Sequence, residues 1–309
     1  MRMKKRPRVA IDVNGGDSSD VTHRAALEAA AKAPSIQVVA YGNRAKIQRV
    51  AEASHQSYGL GKLEIIDCSN HTTEMRAIAH ALAGGSIDAW VTPAKSPRLL
   101  AALRYAGLLE EGLVTPALMA PLPTDNVAGH GGLSFLMDVG LTGAVDTGEV
   151  FVQWAEYGSR FLKMHYGIES PRIALYNIAT ERAAPSLQLI NEALKVVPGY
   201  ISYAEPQAVV DGKVDLWLAE GLIGNGLIKA LESWLRLASV RLLKRFAQDG
   251  NEKATKATTV VFGRGMSYDA ALISPVIGLK GDLVVCRAHG AATDKQIAGG
   301  IAAVQRYLG

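Results

Sequence analysis

Six short stretches of this chain set a small residue beside a polar one directly after an apolar run: "DVNGGD", "TPAKSPR", "MDVGLTG", "NIATE", "AEGLIGN" and "RAHGAATD". The candidate site residues they carry are Asp12, Gly15, Gly16 and Asp17, then Lys95 and Ser96, then Asp138. Further along come Asn177 and Glu181, Gly224 and Asn225, and finally His289 and Gly290. Glycine turns and helix starts leave backbone N–H groups exposed, and such groups bind anions without any charged side chain. Lys95 and Arg98 add two cations at a helix start. Asn177 and Asn225 are neutral donors suited to a carbonyl or phosphate oxygen, and His289 can pass a proton near neutral pH. Each residue also has a structural reading. Glycine reverses a chain, asparagine closes turns, a first-turn lysine is solvated, and a histidine at a strand end can satisfy a local bond. One such turn decides nothing, but the recurrence points to an anionic ligand, phosphate first.

Other phosphate chemistries fit less well. Gly15 and Gly16 are adjacent with no third glycine after them, and the second apolar run ends in "AYGNR" rather than on an acid. A dinucleotide fingerprint needs both features. No spaced glycine leads into Gly-Lys-Ser/Thr, so a nucleoside-triphosphate loop is absent. The two cysteines, Cys68 and Cys286, form no CxxC pair, and no His-x-x-x-His pair lies near carboxylates. Neither metal nor cofactor is expected. Asp12, Asp17 and Glu181 repel free phosphate, so their expected task is orienting lysines, turns or a histidine. His130 has no assignable role.

The chain has 309 residues, 49% hydrophobic and 20% charged, which is ordinary for a globular protein. Its formal charge of +4 sits largely in the leading "MRMKKRPR", read as a solvated end. Only 6% is aromatic and the basic residues are not interleaved with aromatics, which argues against nucleic acid. No uninterrupted apolar run approaches the ~18 residues of a spanning helix. A cytoplasmic location is expected.

The elements that must position these residues alternate in type. Strand-like "RVAIDV", "IQVVAYG", "LEIIDC" and "DAWVTPA" are separated by helix-like 21–33, 45–54 and 73–83, the last capped by Thr72 or Thr73. That alternation predicts a doubly wound α/β sheet, whose ligands bind beyond the carboxyl ends of the strands. "TPALMAPLP" is a proline-rich apolar segment, and "LSFLMDVG" is strand-like. Helices are predicted over 147–165, 186–196 and 294–307, with strands at "PRIALY", "GYISYAEP", "VDLWLAEG", "TTVVFGRG" and "DLVVCRAHG". The longest helical stretch, 222–248, carries an apolar stripe with a tryptophan and a basic remainder. No repeat or linker divides residues 1–309, so one continuous domain is expected.

In this order, "IDVNGGD", "MDVG", "PRIALYNIATE", "AEGLIGNGLIKALE" and "RAHG" resemble the PlsX family of phosphate acyltransferases from bacterial phospholipid synthesis. The likeness runs from about Arg8 to the C-terminal helix. It implies a Rossmann-like α/β/α sandwich with a mostly parallel sheet, related to phosphate acetyltransferase and isocitrate dehydrogenase. It implies a homodimer that converts acyl-carrier-protein or acyl-CoA thioester plus inorganic phosphate into acyl phosphate, with loose contact at the inner membrane face. Helix 222–248 would then lie at the dimer interface or form a membrane-facing tip. Lys95, Asn177 and His289 are the expected catalytic groups, Asn177 and His289 as kept family motif residues and Lys95 from its place at a helix start, and the remaining candidates bind substrate. Several family positions differ. Asn14 stands for methionine, Ala179 for glycine, Glu220 for aspartate, Lys95 and Ser96 for Asn-Thr, and Ala184 for lysine. Leu141 and Thr142 follow "MDVG" where the family has asparagine. The lost groups are donors that phosphate or an oxyanion would use. A second reading is therefore a repurposed, non-catalytic member that binds acyl carrier protein or a lipid-pathway partner. A metal-dependent dehydrogenase of the related fold is a third.

Overall fold

The computed structural model describes residues 6–125, 132–145, 147–178, 183–257, 273–289 and 292–308. The first half alternates as the sequence predicts: β1 (Arg8–Asp12), α1 (Ser19–Lys32), β2 (Gln37–Gly42), α2 (Arg44–Ala53), short α3 (Ser57–Leu60), β3 (Glu64–Asp67), α4 (His71–Ala83), β4 (Ala89–Thr92) and α5 (Ser96–Tyr105). There follow β5 (Ala117–Pro123), β6 (Leu133–Met137), α6 (Gly148–Tyr166), β7 (Ile173–Tyr176), α7 (Pro185–Leu194), β8 (Tyr200–Ala204), short α8 (Pro206–Val210) and β9 (Leu216–Leu218). The chain closes with α9 (Gly221–Gln248), β10 (Ile273–Ile277), β11 (Val284–Ala288) and α10 (Asp294–Ala303), which ends in a 3-10 turn over Val304–Tyr307.

The eleven strands among the described residues join one sheet in the order β3-β2-β1-β4-β11-β10-β5-β6-β9-β7-β8. Side chains alternate across it. Ala10, Val39, Trp90, Leu118, Leu136 and Trp217 share one core cluster. Their neighbours Val9, Ile11 and Val38, and in the other half Met119, Phe135 and Leu216, face clusters on the opposite side. Burial on both faces explains why these strands read as continuous apolar runs.

Strand direction is where the sequence reading stops short. β3, β2, β1, β4 and β11 are mutually parallel. So are β6, β9, β7 and β8. Between these halves β10 is antiparallel to β11 and β5, and β5 is antiparallel to β6. The two parallel halves therefore run in opposite directions. Their carboxyl ends nevertheless meet. Thr92 registers with Arg287 and Arg287 with Ser274, while Val276 registers with Leu118 and Met119 with Met137. The last residues of β4, β11 and β6 thus fall close to one line across the middle of the sheet. The strand ends that precede the six stretches do not share an outer edge; those of the two halves approach a central line from opposite sides.

Further differences have physical causes. Helix α4 is capped by Asn70, whose side chain accepts from Thr73 N, two or three residues earlier than the expected Thr72 or Thr73. The proline-rich segment is an interior strand, β5. The interior strand β10, with Pro275 paired to Cys286, was not legible because proline argues against a central strand. The predicted strand "TTVVFGRG" lies outside the described residues. The long helix begins at Gly221, and only Gly221 and Gly224 of it are buried. Leu231, Trp234, Leu237, Val240 and Leu242 are exposed, so α9 is not a core helix.

Candidate active site

The turn after β6 is built around one carboxylate. Asp138 is fully buried. Its Oδ1 accepts from Leu118 N at 2.8 Å, Gly140 N at 3.1 Å and Leu141 N at 3.0 Å. Its Oδ2 accepts from Thr142 N at 2.8 Å and Thr142 Oγ1 at 2.7 Å. Burial pushes this carboxyl above its ordinary range, and the backbone donors together with the Thr142 hydroxyl oppose that shift. Asp138 thus spends both oxygens on the turn rather than facing open space.

The start of α9 packs directly on this turn, and glycine is what permits it. A Cβ on Gly224 would collide with the Asp138 carbonyl oxygen, and one on Gly221 with the Thr142 carbonyl. Gly140 takes φ +109°, open to glycine, and lies against the Asn225 side chain. The "EGLIGN" spacing places Gly221, Gly224 and Asn225 on one helix face.

Across the central line, Pro97 at the start of α5 suits the first turn, and Lys95 is its exposed N-cap residue. Ser96 Oγ donates to Gly140 O at 2.5 Å, tying the end of β4 to the end of β6. Asn225 and His289 then line one cavity with Leu118, Ala120, Val139, Ile228 and Arg287. Ser96, the Asp138 turn, Gly224, Asn225 and His289 are thereby assembled by the fold from four separate strand ends.

The first motif forms a neighbouring cluster. Asp12 is fully buried. It accepts from Trp90 Nε1 at 2.9 Å and pairs with His71 Nε2 at 2.9 Å. Arg98 Nη1 donates to His71 Nδ1 at 3.0 Å. Guanidinium can only donate, so Nδ1 is the acceptor and the ring proton sits on Nε2, directed at Asp12. Asp12 orients a histidine and an indole. Gly15 lies so close to Asp12 Oδ2 and Pro93 that a Cβ would strike both. Buried Glu74 holds Asn14 through the backbone N at 3.2 Å and through Nδ2. Burial raises the Glu74 carboxyl, and the Asn14 bonds oppose that. Gly16 sits at φ 79°, and Asp17 is exposed.

Asn177, at the end of β7, is buried; its N donates to Ala204 O at 3.2 Å and its Oδ1 accepts from Ile178 N at 2.9 Å, a turn-closing arrangement. Glu181, Gly290 and His130 lie outside the described residues.

With this geometry in place, comparison with known proteins decides the family. Residues 7–308 match the family model described as "Fatty acid synthesis protein". The chain belongs to that family. This is the PlsX family that the motif order resembles. A relative from Pseudomonas syringae pv. tomato, named "Phosphate acyltransferase", is 27% identical across 98% of this chain and 92% of its own length. A branched-chain phosphotransacylase from Enterococcus faecalis superposes with TM-score 0.60 at 12% identity, covering 98% of this chain and 99% of its own. The phosphotransacetylase EutD from Staphylococcus aureus gives TM-score 0.57 at 11% identity, covering 97% and 94%. At these identities the structural likeness is one of fold, the α/β/α sandwich.

In this member of the family, three residues escaped the sequence reading. His71 and Glu74 lie at the start of an unremarkable helix, and only their contacts to Asp12 and Asn14 mark them. Arg287 carried a usable signal: it is the one charged residue within the otherwise apolar strand β11, two places before His289.

Proposed function

We propose that this chain is an acyltransferase that moves the acyl group of an acyl-carrier-protein or acyl-CoA thioester onto inorganic phosphate, supplying acyl phosphate for phospholipid synthesis. The observation that carries the reading is the Ser96–Gly140 link. It brings the α5 start, the α9 start and His289 from oppositely running halves to one place. Family membership supplies the reaction class.

The chemistry asks little covalent work of the protein. A phosphate oxygen attacks the thioester carbonyl carbon, the C–S bond breaks, and the phosphate proton leaves with the thiolate as thiol. Preorganised donors then matter most, each contributing about 10²–10³ in rate. In this reading Lys95 and Asn225 hold oxyanions, and His289 accepts the phosphate proton and returns it to the thiolate. Asn177 belongs to this set by its place after β7. The exposed face of α9 is read as the contact with a second copy, with peripheral membrane attachment at the same tip. No described helix is long and apolar enough to cross a membrane.

The test is acyl phosphate formation from a long-chain thioester and phosphate, trapped with hydroxylamine. Phosphate-dependent product that disappears in Lys95→Ala and His289→Ala is expected. A folded protein giving no product at any chain length would replace this reading with the repurposed binder.

A further inference from the structure

Arg287 has no role in the reading above, yet among the described residues it is the one lysine or arginine lining the cavity of Asn225 and His289. Its Nε donates to Ala94 O at 3.0 Å, just before Lys95 and Ser96. Among the described residues that is its only hydrogen-bond partner, and no carboxylate lies within ion-pair distance. Other part-buried arginines differ. Arg8 forks onto Glu64 through Nη1 and Nη2 at 2.6 and 2.7 Å. Arg172 forks onto Asp215 through Nε and Nη2 at 2.9 and 2.7 Å. Both therefore have their charge neutralised and their orientation fixed.

The two acids whose fields reach Arg287 do not neutralise it at contact, and Glu232, which lines the same cavity, forms no ion pair with it. Asp138 has committed both oxygens to its turn, and Asp17 is exposed. Burial pulls the guanidinium below its usual range, while the fields of Asp138 and Asp17 pull it back. A guanidinium held this way carries an uncompensated desolvation cost. It also lines the cavity shared by Asn225 and His289. A planar fork with free N–H groups matches two oxygens of a tetrahedral oxyanion, and removing water from the site strengthens that pairing.

We infer that Arg287 is the residue that binds the phosphate group at this site, with its free terminal N–H groups bridging two phosphate oxygens beside Asn225 and His289. This rests on the acyl-transfer reading for its choice of anion. The phosphate has two chemical sources, free inorganic phosphate or the phosphodiester of a pantetheine-bearing carrier, and the experiment separates them.

A group placed for binding rather than for folding leaves a distinctive signature. Removing its charge relieves the empty site and abolishes ligand stabilisation. Thermal unfolding of the full chain is measured with and without inorganic phosphate, and separately with coenzyme A, for the wild type, Arg287→Gln and Arg287→Lys. At phosphate about 100-fold above its Kd the wild type should rise by ~5 °C. Arg287→Gln should unfold no lower than the wild type without ligand and show no rise with phosphate. Arg287→Lys should keep part of the rise, because it retains charge but loses the fork.

Stabilisation by coenzyme A alone would move the site to the carrier's phosphodiester and overturn the free-phosphate assignment. An Arg287→Gln protein that unfolds earlier yet keeps the full phosphate rise would overturn the inference and leave the acyl-transfer reading standing. Absence of any phosphate rise in the wild type overturns it as well. Loss of the rise in Arg287→Gln, alongside a wild type that forms no acyl phosphate, would uphold the binding site and reject the reaction.

Discussion

Replacing Asp138 by asparagine should loosen the turn on which the site is assembled. In the native turn, three backbone N–H groups converge on Oδ1, and the Thr142 N–H and hydroxyl converge on Oδ2. Asparagine offers one acceptor oxygen. Turned toward Leu118, Gly140 and Leu141, it presents its NH₂ to Thr142 N, a donor facing a donor. The Thr142 hydroxyl can rotate to accept, but the amide N–H is orphaned at about 1–3 kcal/mol. The three retained bonds also lose charge assistance, which roughly halves their strength. Together these give a loss of ~3–5 kcal/mol, or ~6–12 °C in Tm if the chain follows the trend for large domains. The assay is chemical denaturation of Asp138→Asn beside Thr142→Val, which removes only the hydroxyl contact and should cost about 1 kcal/mol. Activity should fall with stability, because Gly140 O, the acceptor for Ser96, rides on the same turn. A loss under ~1 kcal/mol for Asp138→Asn would refute the view that this carboxylate organises the turn.

Three further outcomes follow from the same physics. His23 is buried with Nε2 unpartnered, and burial lowers its pKa. The unfolded chain therefore takes up a proton that the folded one resists, so this stability is present above the unfolded pKa and lost as pH falls below it. The urea midpoint should drop between about pH 7 and pH 5, and His23→Leu should flatten that drop. His71→Ala should cost about 1–3 kcal/mol in urea denaturation, because it takes a hydrogen-bond partner from buried Asp12; His71→Asn should recover part of it by donating its amide to Asp12. Trp234→Lys with Leu231→Lys should leave the Tm nearly unchanged, since both side chains are exposed, and should convert any dimer to monomer in light scattering. An unchanged mass would show that this face of α9 does not join two copies.

What the sequence determined by itself is local. Apolar runs closed by polar, glycine or proline residues fixed β1, β2, β3 and β4 and their following helices, because side-chain period and turn chemistry act within a dozen residues. The glycines of "EGLIGN" likewise announced a close approach at the start of α9. The tertiary structure decided what those turns approach. The reversal of strand direction at β10 and β5 depends on pairings between distant segments, and Pro275 and the prolines of β5 hid both strands. The partners of Asp12 and Asp138 were equally invisible. His71 and Trp90 lie 59 and 78 residues from Asp12, and Leu118 lies 20 from Asp138. A carboxylate becomes a turn organiser, and an arginine an unpaired charge, only when folding fixes which donors and acceptors remain within reach.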